Sequence, residues 1–228
     1  MAEVVAQRLK TAILDGQLPP GTPLRLAQIS ERLGVSVMPV RDALRQLEAE
    51  RLVEIRPRRG AVVTDLSIED AEETYAVRVA LEALAARHAT ERLTDADLDE
   101  IREAFGRMTD AQRSGDLRAF IDADHVFHHR LYQASQRDRL IRNISELVDR
   151  SRRYAPITYR AWQPLDAGIA AHRPILEAIE ARDPALVERL TFEHMSAAAT
   201  RLVTALQVEA VERARTMRRR RDGAHAHR

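Results

Sequence analysis

Apolar residues recur at helical spacing through most of the chain. In residues 2–15, Val5, Leu9, Ala12 and Ile13 share one helical face. Gly16 ends that pattern, and the LPPGTPL run after it is rich in turn formers. Leu26, Ile29 and Leu33 predict a short helix over 26–33 that stops at Gly34. Ser36 is a good N-cap for a third helix, and Pro39 falls in its first turn, where a missing amide hydrogen costs little. Val40, Leu44 and Leu47 form the buried stripe of that helix. Two short runs of β character, 52–56 and 61–64, flank Pro57-Arg58-Arg59-Gly60, which predicts a hairpin tip. Three helices and a hairpin in this order outline a winged helix-turn-helix.

The pattern changes at Asp65, after which no strand signal is visible. Helical periodicity predicts six helices, at about 67–90, 94–113, 116–135, 138–155, 164–181 and 184–216. Ser67, Thr94 and Asp183-Pro184 are start signals, and the connections are short, as in a bundle. The expected fold is therefore mainly α. A winged helix-turn-helix over 1–66 precedes an all-α six-helix bundle over 67–216, and the basic segment 217–228 is expected to be a disordered tail for want of an apolar anchor.

Composition narrows the chemistry. The 228 residues include no cysteine, which removes disulfides, thiolate zinc sites and cysteine nucleophiles together. No apolar run approaches the ~18 residues that span a bilayer, and the N-terminus lacks the continuous apolar core of a signal peptide. A soluble, cytoplasmic protein with no membrane partner is expected. The net charge is only +1, but residues 1–66 carry +2, 67–212 carry −7 and 213–228 carry +6. An acidic middle between basic ends assigns any nucleic-acid contact to the ends.

In the segment LAQISERLGVSVMPVRDALRQLEAERL, Gly34 permits the tight turn between two helices. The second helix then exposes Ser36, Val37, Met38, Arg41 and Arg45, the layout of a recognition helix. Arg41 and Arg45 lie one turn apart, suited to phosphates or guanine, while Arg58, Arg59 and Gly60 at the hairpin tip suit phosphate or minor-groove contact. The stretch from PGTPL to RPRRGAVV resembles the DNA-binding domain of the GntR family of regulators, through its PG, LGVS, PVRDAL and LVEIRPRRG segments. It departs from that family at Val37, where a base-reading basic residue is usual, and at Arg51, where glycine is usual.

Asp124 and His128 stand four apart in DADHVFHHRLYQAS, on one helical face, whereas His125 and His129 point elsewhere and are expected at the surface. His172 and His194 lie near apolar stripes, where histidine is ordinarily a hydrogen-bonded core residue. The segments YAVRVALEALAARHA, DADHVFHHRLYQAS and AHRPILEAIEARDPALVERLTFEHM resemble the FCD ligand-binding domain of the FadR subgroup of that family, and the helix count resembles its VanR-like branch. That resemblance implies that Asp124, His128, His172 and His194 bind a divalent metal ion (Zn, Ni, Mn or Fe) and that Arg78 lines an effector pocket. QRDRL departs from the family's glycine–asparagine turn at Gln136 and Arg137.

The resemblance implies a transcription regulator, expected to be a repressor, that binds a pseudo-palindromic DNA operator as a homodimer under control of a small carboxylate effector. Two other readings compete with it. One is a metal-dependent hydrolase using the Asp/His cluster, and the other is a chromatin protein that binds DNA without sequence preference.

Overall fold

The computed structural model describes residues 1–14, 16–56, 60–154, 157 and 165–225, with side chains as far as residue 211, that of residue 153 excepted. The chain divides into two compact units, Met1–Ser67 and Ile68–Arg228.

In the first unit, α1 (Ala2–Leu14), α2 (Leu26–Leu33) and α3 (Val37–Ala49) are followed by β2 (Val53–Arg56) and β3 (Gly60–Val63). One strand was not legible in the sequence. Pro23–Leu24, inside the turn-rich connection, forms β1 and pairs antiparallel with β3, giving the sheet order β1-β3-β2. Two residues, one of them a proline, following Pro19-Pro20-Gly21 carry no period-2 signal, and the strand forms because β3 offers it a free edge. Between β2 and β3 the register runs from Val53↔Val63 to Arg56↔Gly60.

The core of this unit gathers Val5, Leu9 and Ile13 of α1 with Val40, Leu44 and Leu47 of α3 and Leu52, Ala61 and Val63 of the wing. Leu26, Ile29 and Leu33 of α2 pack against it from a half-buried position. Gly34 turns α2 into α3 with φ 64°, a conformation that a side chain would strain. Glu48 on α3 accepts a hydrogen bond from the Ile55 amide, which fastens the wing to the helix.

The second unit contains α4 (Ile68–Arg92), α5 (Asp95–Ser114), α6 (Leu117–Gln133), α7 (Asp138–Ser151), α8 (Asp166–Glu180) and α9 (Pro184–His225). Three of their starts are marked by side-chain caps. Thr94 and Asp97 form a reciprocal capping box, Asp116 caps through the Ala119 amide, and Asp183 accepts from Leu186 ahead of Pro184. The fourth bundle helix ends at Ser151 rather than 155 and continues as a 3-10 turn over Arg152–Tyr154.

The last helix does not stop at 216, where the tail was expected to begin, but runs on to His225. No glycine or proline interrupts the sequence between Pro184 and Gly223, so helix propensity carries it past its last apolar residues. Residues 226–228 of the expected tail lie outside the described residues. The bundle core joins Ile101, Phe105 and Met108 of α5, Phe120, Phe127 and Leu131 of α6, and Ile175 and Ile179 of α8.

Candidate metal centre and DNA-facing helix

The inward stripe of α6 contains a polar interruption. Asp124 follows Phe120 by one turn and precedes His128 by another, so the spacing that buries Phe120 also carries Asp124 inward. His172 comes from α8, fully buried, and His194 from α9, also buried. The structure brings all four together. His128, His172 and His194 each offer a ring nitrogen within 4.8 Å of the others. Asp124 Oδ1 lies 2.8 Å from His172 Nε2 and 3.9 Å from His128 Nε2. His128 Nε2 and His172 Nε2 are 3.0 Å apart. Phe127 stands edge-on to both rings, its centroid 5.3 and 5.5 Å from theirs, and walls the cluster from the core.

Hydrogen bonds to the outer nitrogens set the tautomers. His172 Nδ1 is 2.8 Å from the Gly168 carbonyl, which can only accept, so Nδ1 carries the hydrogen. In the neutral ring Nε2 then presents a lone pair to Asp124 Oδ1, acceptor against acceptor, an arrangement that calls for a proton or a metal cation between them. His128 Nδ1 is 3.2 Å from the Tyr132 hydroxyl, which itself donates to Glu82 at 2.6 Å. His128 Nδ1 is therefore the donor, and its Nε2 also faces inward with a lone pair.

Electrostatics reinforce this state. Burial pushes His128 down to about 4, with His172 reinforcing the shift and Asp124 opposing it. Burial, then His172 and His128, hold His194 well below the usual imidazole range. Burial alone would raise Asp124, but positive charge and a donated hydrogen at His172, then positive charge at His128, hold its carboxyl well below the usual range; a metal ion bound by neutral rings would supply the same charge. Neutral imidazoles and an ionised carboxylate are the protonation states that ligate metal.

The cluster opens onto a cavity of about 300 Å³ that is also lined by Tyr75, Arg78, Ser151, Arg152 and Met195. Arg78 lines it while already engaged. Its Nε donates to Glu82 at 2.6 Å and its Nη1 to Ser151 at 2.8 Å. Burial would lower the Arg78 pKa, but Glu82 overrides it and keeps the group cationic.

His125, expected at the surface, is half-buried and lines the same cavity, because residues of other elements, Arg78 and Arg152 among them, stand over it. Burial lowers its pKa, Asp124 opposing and the two arginines reinforcing. His129 is exposed, at the rim. Sequence reasoning missed Glu82, Tyr132 and Arg152. The first two carried a signal, standing four residues after Arg78 and His128 on the same helical faces.

In the first unit, Ser36, Val37, Met38, Arg41 and Arg45 are all exposed on or beside the first turns of α3. Ser36 has extended N-cap backbone but makes no capping bond with its side chain. Among the described residues Arg41 and Arg45 enter no ion pair. Gly60 opens β3 with φ 84°. Arg58 and Arg59 lie outside the described residues.

Residues 1–63 match the bacterial regulatory proteins of the gntR family, and residues 73–197 match the FCD domain. The chain belongs to the GntR family. It is 34% identical over 201 residues to a "Probable D-xylose utilization operon transcriptional repressor" of Paenarthrobacter nicotinovorans, covering 86% of each chain. It is 30% identical over 181 residues to the HTH-type transcriptional regulator McbR of Escherichia coli strain K12, covering 78% of this chain and 82% of that one. The solved structure of E. coli McbR/YncC superposes with a TM-score of 0.74 at 28% identity, covering 89% of this chain and 97% of the other. This GntR member is thus a DNA-binding transcription regulator, with an N-terminal winged helix-turn-helix and a helical FCD domain. The hydrolase reading finds no support among its relatives. Among the described residues, no helix is long and apolar enough to cross a membrane.

Proposed function

We propose that this regulator is a homodimeric, cytoplasmic repressor of the FadR subgroup, VanR-like branch, whose operator binding responds to a small carboxylate held at a metal-containing pocket. The observation that carries the reading is the convergence of Asp124, His128, His172 and His194 beside a 300 Å³ cavity, lined by Asp124, His128 and His194 of the cluster and by two arginines. Among the described residues, the six helices of at least three turns in the second unit support the branch.

The donor set fits a divalent cation. Two donors at ~2.1 Å from a shared ion stand at most ~4.2 Å apart; the separations among Asp124, His128 and His172, 2.8, 3.0 and 3.9 Å, fall within that limit, and the His194 nitrogen lies within 4.8 Å of the other two imidazoles'. Three imidazoles and a carboxylate suit Zn, Ni, Mn or Fe(II). A bound ion would supply a Lewis-acid anchor for an effector's carboxylate oxygens. Gly168 and Tyr132 orient the ligating rings, and Glu82 fixes Tyr132. Arg78 and Arg152 supply the positive wall facing the effector, and the apolar side chains of Ile144, Val148 and Met195 exclude water.

On the DNA side, Ser36, Val37, Met38, Arg41 and Arg45 would enter the major groove, with Arg58, Arg59 and Gly60 of the wing on the backbone or in the minor groove. A dimer would place two such helices on the half-sites of a pseudo-palindrome. Coupling between effector and operator is ~1–3 kcal/mol in systems of this kind and is reciprocal. A thermal-shift screen of organic and sugar acids, with and without divalent metal, tests the sensor. We expect stabilisation by a carboxylate only when metal is present, and a compound that stabilises the chelated protein equally would contradict it.

A further inference from the structure

The outer face of α3 carries an apolar edge that the fold leaves unused. Val37 and Met38, the first two residues of the helix, are 39% and 60% exposed, whereas Val40 behind them is fully buried. Apart from Met1 and Val4 at the chain start, they are the exposed large apolar side chains among the described residues of this unit. Burying either one inward would have stabilised the domain, yet both stand in water.

Their surroundings identify what covers them. Arg41 and Arg45 follow within two turns, exposed and outside any ion pair among the described residues. The exposed Ser36 hydroxyl, which makes no capping bond, precedes them. This face fits a surface that is anionic along its walls and apolar at its floor. The major groove of B-DNA has that character where thymine occurs: phosphates line both sides, and the thymine C5-methyl is the apolar group among the base edges. Valine and methionine have no hydrogen to donate to guanine O6 or N7, so they gain nothing from a G·C pair that water would not supply better. Methionine's flexible thioether chain adapts to whichever methyl lies within reach.

Building on the reading of this unit as the DNA-binding element, we propose that Val37 and Met38 are specificity-determining residues that select thymine. The operator half-site carries A·T pairs where the N-terminus of α3 meets the groove floor, with thymine methyls packed against the two side chains. Arg41 and Arg45 hold the helix in register on flanking phosphates.

Substituting deoxyuridine for thymine tests this directly, because it removes the methyl and leaves every hydrogen-bonding group in place. The full-length protein is first used to enrich its preferred duplex from a random-sequence library. Each thymine of that duplex is then replaced in turn by deoxyuridine. We expect one or two positions per half-site at which the replacement weakens binding about fourfold, the worth of one buried methyl. A Val37→Ala, Met38→Ala double variant, whose exposed sites leave the melting temperature unchanged, should bind the thymine and deoxyuridine duplexes equally. A half-site with only G·C pairs under the helix, or wild-type binding indifferent to every deoxyuridine, overturns the proposal while leaving the regulator reading intact. Failure to enrich any sequence overturns both.

Discussion

The two units place their chemistry on opposite sides of their cores. In the first, the core is uniformly apolar, and the residues assigned to DNA stand outside it, on the solvent face of α3. In the second, the polar residues lie inside, with Asp124, His172 and His194 all under 9% exposed. A surface site costs the fold little, because Arg41 and Arg45 remain hydrated until DNA arrives. A buried cluster of one carboxylate and three imidazoles is expensive unless a cation shares its lone pairs. The fold offsets part of that cost by hydrogen-bonding the outer nitrogens of His172 and His128, through Gly168 and through Tyr132 backed by Glu82. The difference teaches that substitutions on α3 should change binding without stability, while those in the cluster should change both.

The sharpest way to break that contrast is a pair of variants. Removing a ligand with His172→Ala should lower ion affinity by more than ~100-fold, beyond what outer-shell changes cost, and lower the melting temperature of the metal-loaded protein. Arg41→Ala should weaken operator binding by ~1–3 kcal/mol, about 5- to 150-fold, with ion content and melting temperature unchanged. Equilibrium metal titration and fluorescence anisotropy on a labelled operator measure the two. Loss of ion from Arg41→Ala would erase the distinction between the units.

A smaller effect is expected one shell out. Tyr132→Phe removes the acceptor for His128 Nδ1 and the donor to Glu82, while keeping the ring in place. Ion affinity should fall ~10- to 100-fold, and an unchanged value in competition with a chelating dye would deny Tyr132 its positioning role.

Acid should act on the second unit before the first. His128 titrates at about 4 when folded against the usual 6.5, and His194 is shifted the same way, so unfolding takes up protons between those values. Stability of the metal-free protein should therefore fall as pH drops from about 6.5 toward 4. His128→Gln should flatten that slope in chemical denaturation followed at several pH values. A variant as acid-sensitive as the wild type would show that the cluster is not the source.

How far the sequence foretold these sites follows from how local each signal is. The helix-turn-helix was legible because its stripe, its turn glycine and its exposed arginines all fall within some two dozen consecutive residues. The three-strand sheet was only partly so, since β1 is defined by its partner and not by its own residues. Asp124 and His128 were legible as a pair, but their meeting with His172 and His194 depends on how three helices pack. From spacing alone the two later histidines read as core residues, and only the family resemblance joined them to the pair. His125 was misplaced because neighbours on other helices, not its own periodicity, bury it.

The two departures from family glycines have a clear structural meaning. Arg51 and Gln136 adopt φ of 58° and 52°, the left-handed conformation that glycine enters without strain. The smallest predicted effect follows from this. Arg51→Gly and Gln136→Gly should each stabilise their own unit by up to ~1 kcal/mol, relief of left-handed strain outweighing the added freedom of the unfolded chain. Thermal denaturation that shows a loss at both positions would mean that the side chains there contribute more than the backbone strain costs.

The most direct test of a cation-holding core in the second unit is elemental analysis of the full-length protein purified without chelator. We predict about one divalent ion per chain in the wild type, given one complete donor set, and close to none in the near-isosteric Asp124→Asn. An ion-free wild type that also fails to take up added Zn, Ni, Mn or Fe(II), or a variant that keeps its full complement, would contradict it.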